Sequence, residues 1–117
     1  MRQLCAYDHL VVAPTDGRLY GPVDDILADT KYRRRVIAAV PTFQILLEIC
    51  LSDDYLAFVP ELLLNKFKNQ LKMLKTEIAI PQFEIGANWH PRFNEDNQHI
   101  WLRQQLDQVA TKISVAD

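Results

Sequence analysis

A chain of 117 residues fits one compact domain and can bury roughly 60–70% of the surface its unfolded form exposes. With 49% hydrophobic and 24% charged residues its composition is ordinary for a globular protein, and a net charge of −2 gives no electrostatic ground for this stretch to bind nucleic acid. No apolar run nears the ~20 residues of a membrane helix, and three glycines exclude a glycine-rich phosphate loop.

Residues 8–13, Asp-His-Leu-Val-Val-Ala, form a β-branched apolar run that predicts a buried strand. Pro14-Thr15-Asp16-Gly17 reads as a turn. A helix is expected from Gly21-Pro22, because proline at the first helical position loses only an N–H that has no partner there. Asp24 and Asp25 suit the positive end of its dipole, and Val23, Ile26 and Leu27 form its apolar stripe. Arg33-Arg34-Arg35 precedes a second buried-strand pattern, Val36 to Val40, which Pro41 ends. Thr42 is an N-cap for a helix that carries Phe43, Ile45, Leu46, Leu47, Ile49, Cys50 and Leu51. With only Gln44 and Glu48 polar, that helix should be buried on most sides or face a partner.

Ser52-Asp53-Asp54 is a turn, and Tyr55 to Val59 is a third apolar run stopped by Pro60. A short helix is expected over 61–69, with Leu63, Leu64 and Phe67 at helical spacing. Two alternating strands should follow. Leu74, Thr76, Ile78 and Ile80 share one face of the first, and Phe83, Ile85, Ala87 and Trp89 one face of the second. The last helix is expected from about Asp96, a natural N-cap, with Leu102, Leu106, Val109 and Ile113 as its stripe. Strand and helix in alternation predict an α/β layer with parallel pairing.

Several motifs in this order carry a family resemblance. His9 in the first strand is followed by Gly17 in the turn and by Val23-Asp24-Asp25-Ile26-Leu27. Arg34-Arg35-Val36 enters the second strand, and Pro41-Thr42-Phe43 opens the helix after it. An Asp-containing turn leads into a run ending Val59-Pro60. The most specific piece is Trp89-His90-Pro91, then Asp96, then Trp101-Leu102-Arg103. Together they resemble the C-terminal part of LysR-type transcriptional regulators. Two departures stand out: Asp29 to Tyr32 replace a usual glycine, and Asn97 stands where a proline often follows the helix-opening Asp.

The resemblance implies a half domain similar to type II periplasmic binding proteins, with a parallel or mixed sheet flanked by helices. Residues 1–82 would be the second regulatory subdomain. Residues 83–117 would be a strand and helix returning to a first subdomain outside this chain. DNA binding would belong to an N-terminal domain also outside it. The implied function is sensing of a small metabolite, anionic or aromatic, in a cleft between subdomains. Its closure would rearrange a homo-oligomer on DNA, in the cytoplasm and with no membrane role. The alternative is a self-contained α/β interaction or oligomerisation module with no small-molecule role.

Thr15, Asp16, Thr42 and Phe43 are the candidate effector residues at strand-to-helix junctions. Ligands of open α/β sheets sit beyond the strands' carboxyl ends, where helix N-termini offer free N–H groups. His90 is a further candidate, at the crossing between subdomains. The plainer readings are a cap for Thr42, core for Phe43 and a structural role for His90. The three arginines are a solvated strand entry or an anion clamp, and the former is preferred. No third ligand is spaced with His90 and His99, so no metal or other cofactor is expected. Helix-dipole and turn roles account for both Asp pairs, and no nucleophile has a recognisable partner, so no catalytic residue is assigned. Cys5 and Cys50 are read as reduced thiols.

Overall fold

The computed structural model describes residues 1–80 and 82–115. It divides into two compact units, Met1–Pro81 and Gln82–Asp117.

The first unit is built on a three-stranded parallel sheet in the order β2-β1-β3. The strands are β1 Asp8–Val12, β2 Arg35–Val40 and β3 Tyr55–Ala57. Helix α1, Pro22–Ala28, joins β1 to β2, and α2, Phe43–Cys50, joins β2 to β3. β1 is central and is the most continuously buried of the three strands, with His9, Leu10 and Val11 all enclosed. The α1 connection steps to one side of β1, and the α2 connection crosses back to the other. Crossovers of one hand then place the two helices on opposite faces of the sheet.

The two cores follow from this. On one face Leu10 and Val40 pack with Leu46 and Leu47 of α2 and with Phe67. On the other, Val23 and Leu27 of α1 pack with Ile78 and with half-buried Met1, Leu4, Cys5 and Phe58. Neighbours in β1 divide between the faces, as strand periodicity requires. Leu10 joins the α2 cluster, while His9 stacks on Phe58 of the α1 side.

Both helix starts behave as expected from the residues. Pro22 opens α1, and the carboxylate of Asp24 accepts the Gly21 N–H at 2.7 Å. Thr42 caps α2, its hydroxyl oxygen accepting the Ile45 N–H at 3.3 Å. α2 buries Leu46 and Leu47 but leaves Ile45 exposed, so it is not enclosed on most sides.

Past β3 the expectations need correction. The third apolar run is strand only over Tyr55–Ala57. The helix expected over 61–69 is a 3-10 turn, Glu61–Phe67. Neither alternating segment is a strand. In the first, Ile78 is buried while Leu74 and Ile80 are exposed, and the Thr76 hydroxyl accepts the Ile78 N–H at 3.2 Å in a local turn. The second, 83–89, lies in a unit that has no other strand among its described residues, so its backbone has no ladder to join. Ile85 is 91% exposed there.

The second unit holds a 3-10 turn, Pro91–Phe93, and helix α3, Asn97–Val115. Asp96 is its cap, the carboxylate accepting the His99 N–H at 2.9 Å.

Candidate functional site

β1 and β2 are adjacent and parallel, with Val12 opposite Val40, and the Ala13 N–H donates to the Val40 carbonyl at 2.9 Å. The loop after β1 and the Pro41-Thr42 junction therefore leave from the same, carboxyl edge of the sheet. This edge carries Thr15, Asp16, Thr42 and Phe43.

Each residue has a local reason for its position. Gly17 adopts φ 62°, the left-handed region that glycine enters without strain. Asp16 accepts the Arg18 N–H at 3.2 Å and pairs with the Arg18 side chain at 3.1 Å. Thr15 and Asp16 are exposed. Thr42 is exposed and already engaged as the α2 cap, while Phe43 is half-buried beside it at the first helical position. α2 begins at this edge, with the Ile45 N–H already taken by the Thr42 cap, so the chemistry on offer is what its first-turn backbone donors and positive dipole end supply next to one aromatic ring. Asp16 carries the opposite charge, held beside Arg18.

His90 belongs to the second unit. Its Nδ1 accepts the Arg92 N–H at 3.1 Å and caps the turn Pro91–Phe93. That bond gives His90 a local structural role.

The sequence signature around His90 folds into a clasp. The Trp89 indole donates to the Asn94 side-chain oxygen at 2.8 Å. Arg103 lies with its guanidinium 4.4 Å from the Trp89 ring centroid. The same guanidinium donates to the backbone carbonyls of Phe93 and Asn94 at 3.1 and 2.9 Å. Phe93 stacks on His99 at 5.1 Å, and Arg103 reaches the His99 Nδ1 at 2.6 Å. Trp101, the other tryptophan of the signature, is exposed. The spacing of Trp89 and Arg103 is thus set by one turn that they close from opposite ends.

A second polar cluster escaped sequence reasoning. Arg34, taken with its neighbours as a solvated strand entry, is buried and forks onto Asp24, Nε to Oδ1 at 2.9 Å and Nη2 to Oδ2 at 2.6 Å. Burial opposes ionisation of Asp24, but the hydrogen bonds from Arg34 and Gly21 outweigh it and hold the carboxyl below its usual pKa. Arg33 closes the end of α1 by donating to the carbonyls of Leu27, Thr30 and Tyr32. Arg35 pairs with Asp8. All three arginines have partners within the chain; Arg33 and Arg35 are exposed, as a solvated strand entry requires, while the Arg34 side chain is not. The only hint was an acidic residue in the third helical position of α1, ten residues before Arg34.

Among the described residues, no three His, Cys, Asp or Glu side chains gather in a way that could hold a metal ion. No described helix is long and apolar enough to cross a membrane. A groove of about 150 Å³ between α2 and the Glu61–Phe67 turn is lined by Gln44, Leu47, Leu62, Leu63, Lys66 and Phe67, so none of the candidate residues borders it.

The chain is similar to the transcriptional activator NahR of Pseudomonas putida, 30% identical over 114 residues, which are 95% of this chain and 37% of NahR. It is 29% identical over 108 residues to the transcriptional regulator LinR of Sphingobium indicum, covering 89% of this chain and 35% of LinR. Nodulation protein D 1 of Neorhizobium galegae is 26% identical over 109 residues, 90% of this chain and 35% of that protein. The chain belongs to the LysR-type regulators. It spans about a third of the length of these LysR-type relatives. No family model matches the chain, and no solved structure matches it. NahR and LinR are both of the helix-turn-helix type. In the LysR-type stretch described here α1 and α2 are separated by β2, so the two helices are sheet crossovers and form no helix-turn-helix.

Proposed function

We propose that this chain is the effector-sensing part of a LysR-type regulator and contributes one wall of a ligand cleft. The carrying observation is the similarity to transcriptional regulators along nearly the whole chain. The parallel sheet with two connecting loops at one carboxyl edge supports it, since that is where open α/β layers bind ligands. The complete domain is then a periplasmic-binding-protein-like pair of subdomains of type II. Its ligand is a small anionic or aromatic metabolite held by Thr15, Asp16, Thr42 and Phe43, with His90 at the crossing. The start of α2 would receive an anion and Phe43 an aromatic ring.

Ligand binding would favour one closure angle of the subdomains, and so one arrangement of the homo-oligomer on DNA. DNA is bound by another part of the regulator. The work is regulatory, in the cytoplasm, with no catalysis, no cofactor and no membrane partner. The apolar stripe of α3, exposed along Leu102, Leu106, Val109 and Ile113, supports a role in docking or self-association.

One wall of a cleft holds a ligand weakly, because half of its contacts are missing. Isothermal titration of this chain with a panel of aromatic and aliphatic carboxylates should give weak or undetectable heats. Tight binding by the monomeric chain contradicts the shared-cleft reading.

A further inference from the structure

His9 is fully buried in β1, and its Nδ1 is a buried side-chain atom with no hydrogen-bond partner. The other ring nitrogen, Nε2, lies 2.9 Å from the Leu4 carbonyl. A carbonyl only accepts, so Nε2 carries a hydrogen; the buried Nδ1 has no acceptor for a second one, which favours the neutral ring. Leu4 belongs to the 3-10 turn Leu4–Ala6, whose own backbone bonds are few: Cys5 to Met1 and Ala6 to Gln3, each 3.1 Å. The His9 bond is therefore a main tie between this turn and the sheet.

The charged groups around the ring come from each neighbouring element: Asp24 from α1, Arg34 from the segment entering β2, and Asp8 from β1 itself. Phe58, following β3, stacks on the ring with centroids 6.3 Å apart. Of the two carboxylates that act on the ring, Asp8 is paired with Arg35, and both oxygens of Asp24 are taken by Arg34 and by the Gly21 N–H. A proton on Nδ1 would thus meet no acceptor and would add a cation beside Arg34. A buried cation without a partner is strongly unfavourable, and the ring gains by moving into water.

We propose that His9 is an acid-sensitive latch: neutral, it pins the Leu4–Ala6 turn to the sheet, and on protonation it swings out and frees that turn. Burial holds its pKa below the ordinary value, with the charge of Arg34 acting in the same direction and the Leu4 bond, Asp24 and Asp8 in the opposite one. The folded form thus binds the proton less readily than the unfolded chain. Its stability is full above the unfolded histidine pKa of about 6.5 and falls as the pH drops below it. His90 and His99 lie in the second unit and carry no such burial.

The test uses the whole chain. Urea unfolding followed at pH 7.5 and 5.5 should show a lower midpoint at 5.5. His9→Gln, whose amide can still donate to Leu4, should remove most of that difference. Hydrogen exchange at Cys5 and Ala6 should accelerate at pH 5.5 relative to amides of α2, after correction for intrinsic rates, in the wild type only. Equal midpoints at the two pH values overturn the proposal, as does a Gln variant with an undiminished difference. Should the variant fail to fold, the His9 ring titration by NMR decides. A pKa at or above that of an unfolded histidine overturns the latch, and a pKa below it, with faster exchange at Cys5 and Ala6, supports it.

Discussion

Arg34 and Asp24 form a forked ion pair in which the arginine side chain is only 2% exposed. It joins α1 to the entry of β2 across ten residues of sequence, beneath the Phe58 ring 5.7 Å away. Removing one partner leaves the other buried and uncompensated. Arg34→Met is therefore expected to destabilise the first unit by about 3 kcal/mol, the range for broken buried pairs. Arg34→Lys should recover only part of this, because lysine lacks the planar fork. Urea unfolding of the two variants measures both. A loss below about 1 kcal/mol for Arg34→Met contradicts the buried-pair reading.

The same pair sets an acid limit. The folded-state pKa of Asp24 lies below its usual value, so its contribution is present above the unfolded carboxylate pKa of about 3.9 and is lost as the pH falls below that. Stability measured from pH 5 to pH 3 should fall less steeply in Asp24→Asn, starting from a lower value. An unchanged slope places the acid sensitivity elsewhere.

Thr42 serves α2 as a cap and the carboxyl edge as an exposed hydroxyl. Thr42→Ala should cost about 1 kcal/mol, whereas Thr42→Ser, which keeps the capping hydroxyl, should leave stability nearly unchanged. Thermal unfolding checks both. In the core beneath, Leu46 is fully buried, and Leu46→Ala should cost about 2–5 kcal/mol.

Arg103 bridges the Trp89 ring and two turn carbonyls, so no lysine geometry replaces it. Arg103→Lys should loosen the turn at Pro91–Phe93 and change Trp89 emission. An Arg103→Lys protein with wild-type near-ultraviolet dichroism and exchange rates contradicts the clasp.

Along α3, Leu102, Leu106, Val109 and Ile113 are each 46–54% exposed. Such a stripe favours association. Sedimentation should show self-association of the chain at high concentration and a shift toward monomer in Leu106→Glu. Monomer alone at all concentrations contradicts this.

The local signals in the sequence carried the first sixty residues well. Strand runs at residues 8–13 and 36–40, the proline at position 22 and the cap at Thr42 all act over a few residues, and the structure has them close to where the pattern puts them. The alternation from Phe83 to Trp89 misled because it specifies a face and leaves the partner strand unspecified; period two is necessary for a ladder but does not supply one. The arginine run misled for another reason. Its composition looks solvated, and only the fold brings Asp24 beside Arg34. Of the candidate residues, Thr42 was legible as a cap because capping is local. The gathering of Thr15 and Asp16 with Thr42 at one sheet edge depended on the parallel pairing of β1 with β2.

The most direct measurement is an amide chemical-shift titration of the isotopically labelled chain with aromatic carboxylates at millimolar concentration. Weak, saturable shifts gathered at Thr15, Asp16, Gly17, Thr42 and Phe43 are predicted by the proposal that this edge forms one wall of an effector cleft. Shifts absent from that edge at saturating ligand, or confined to the groove between α2 and Phe67, contradict it.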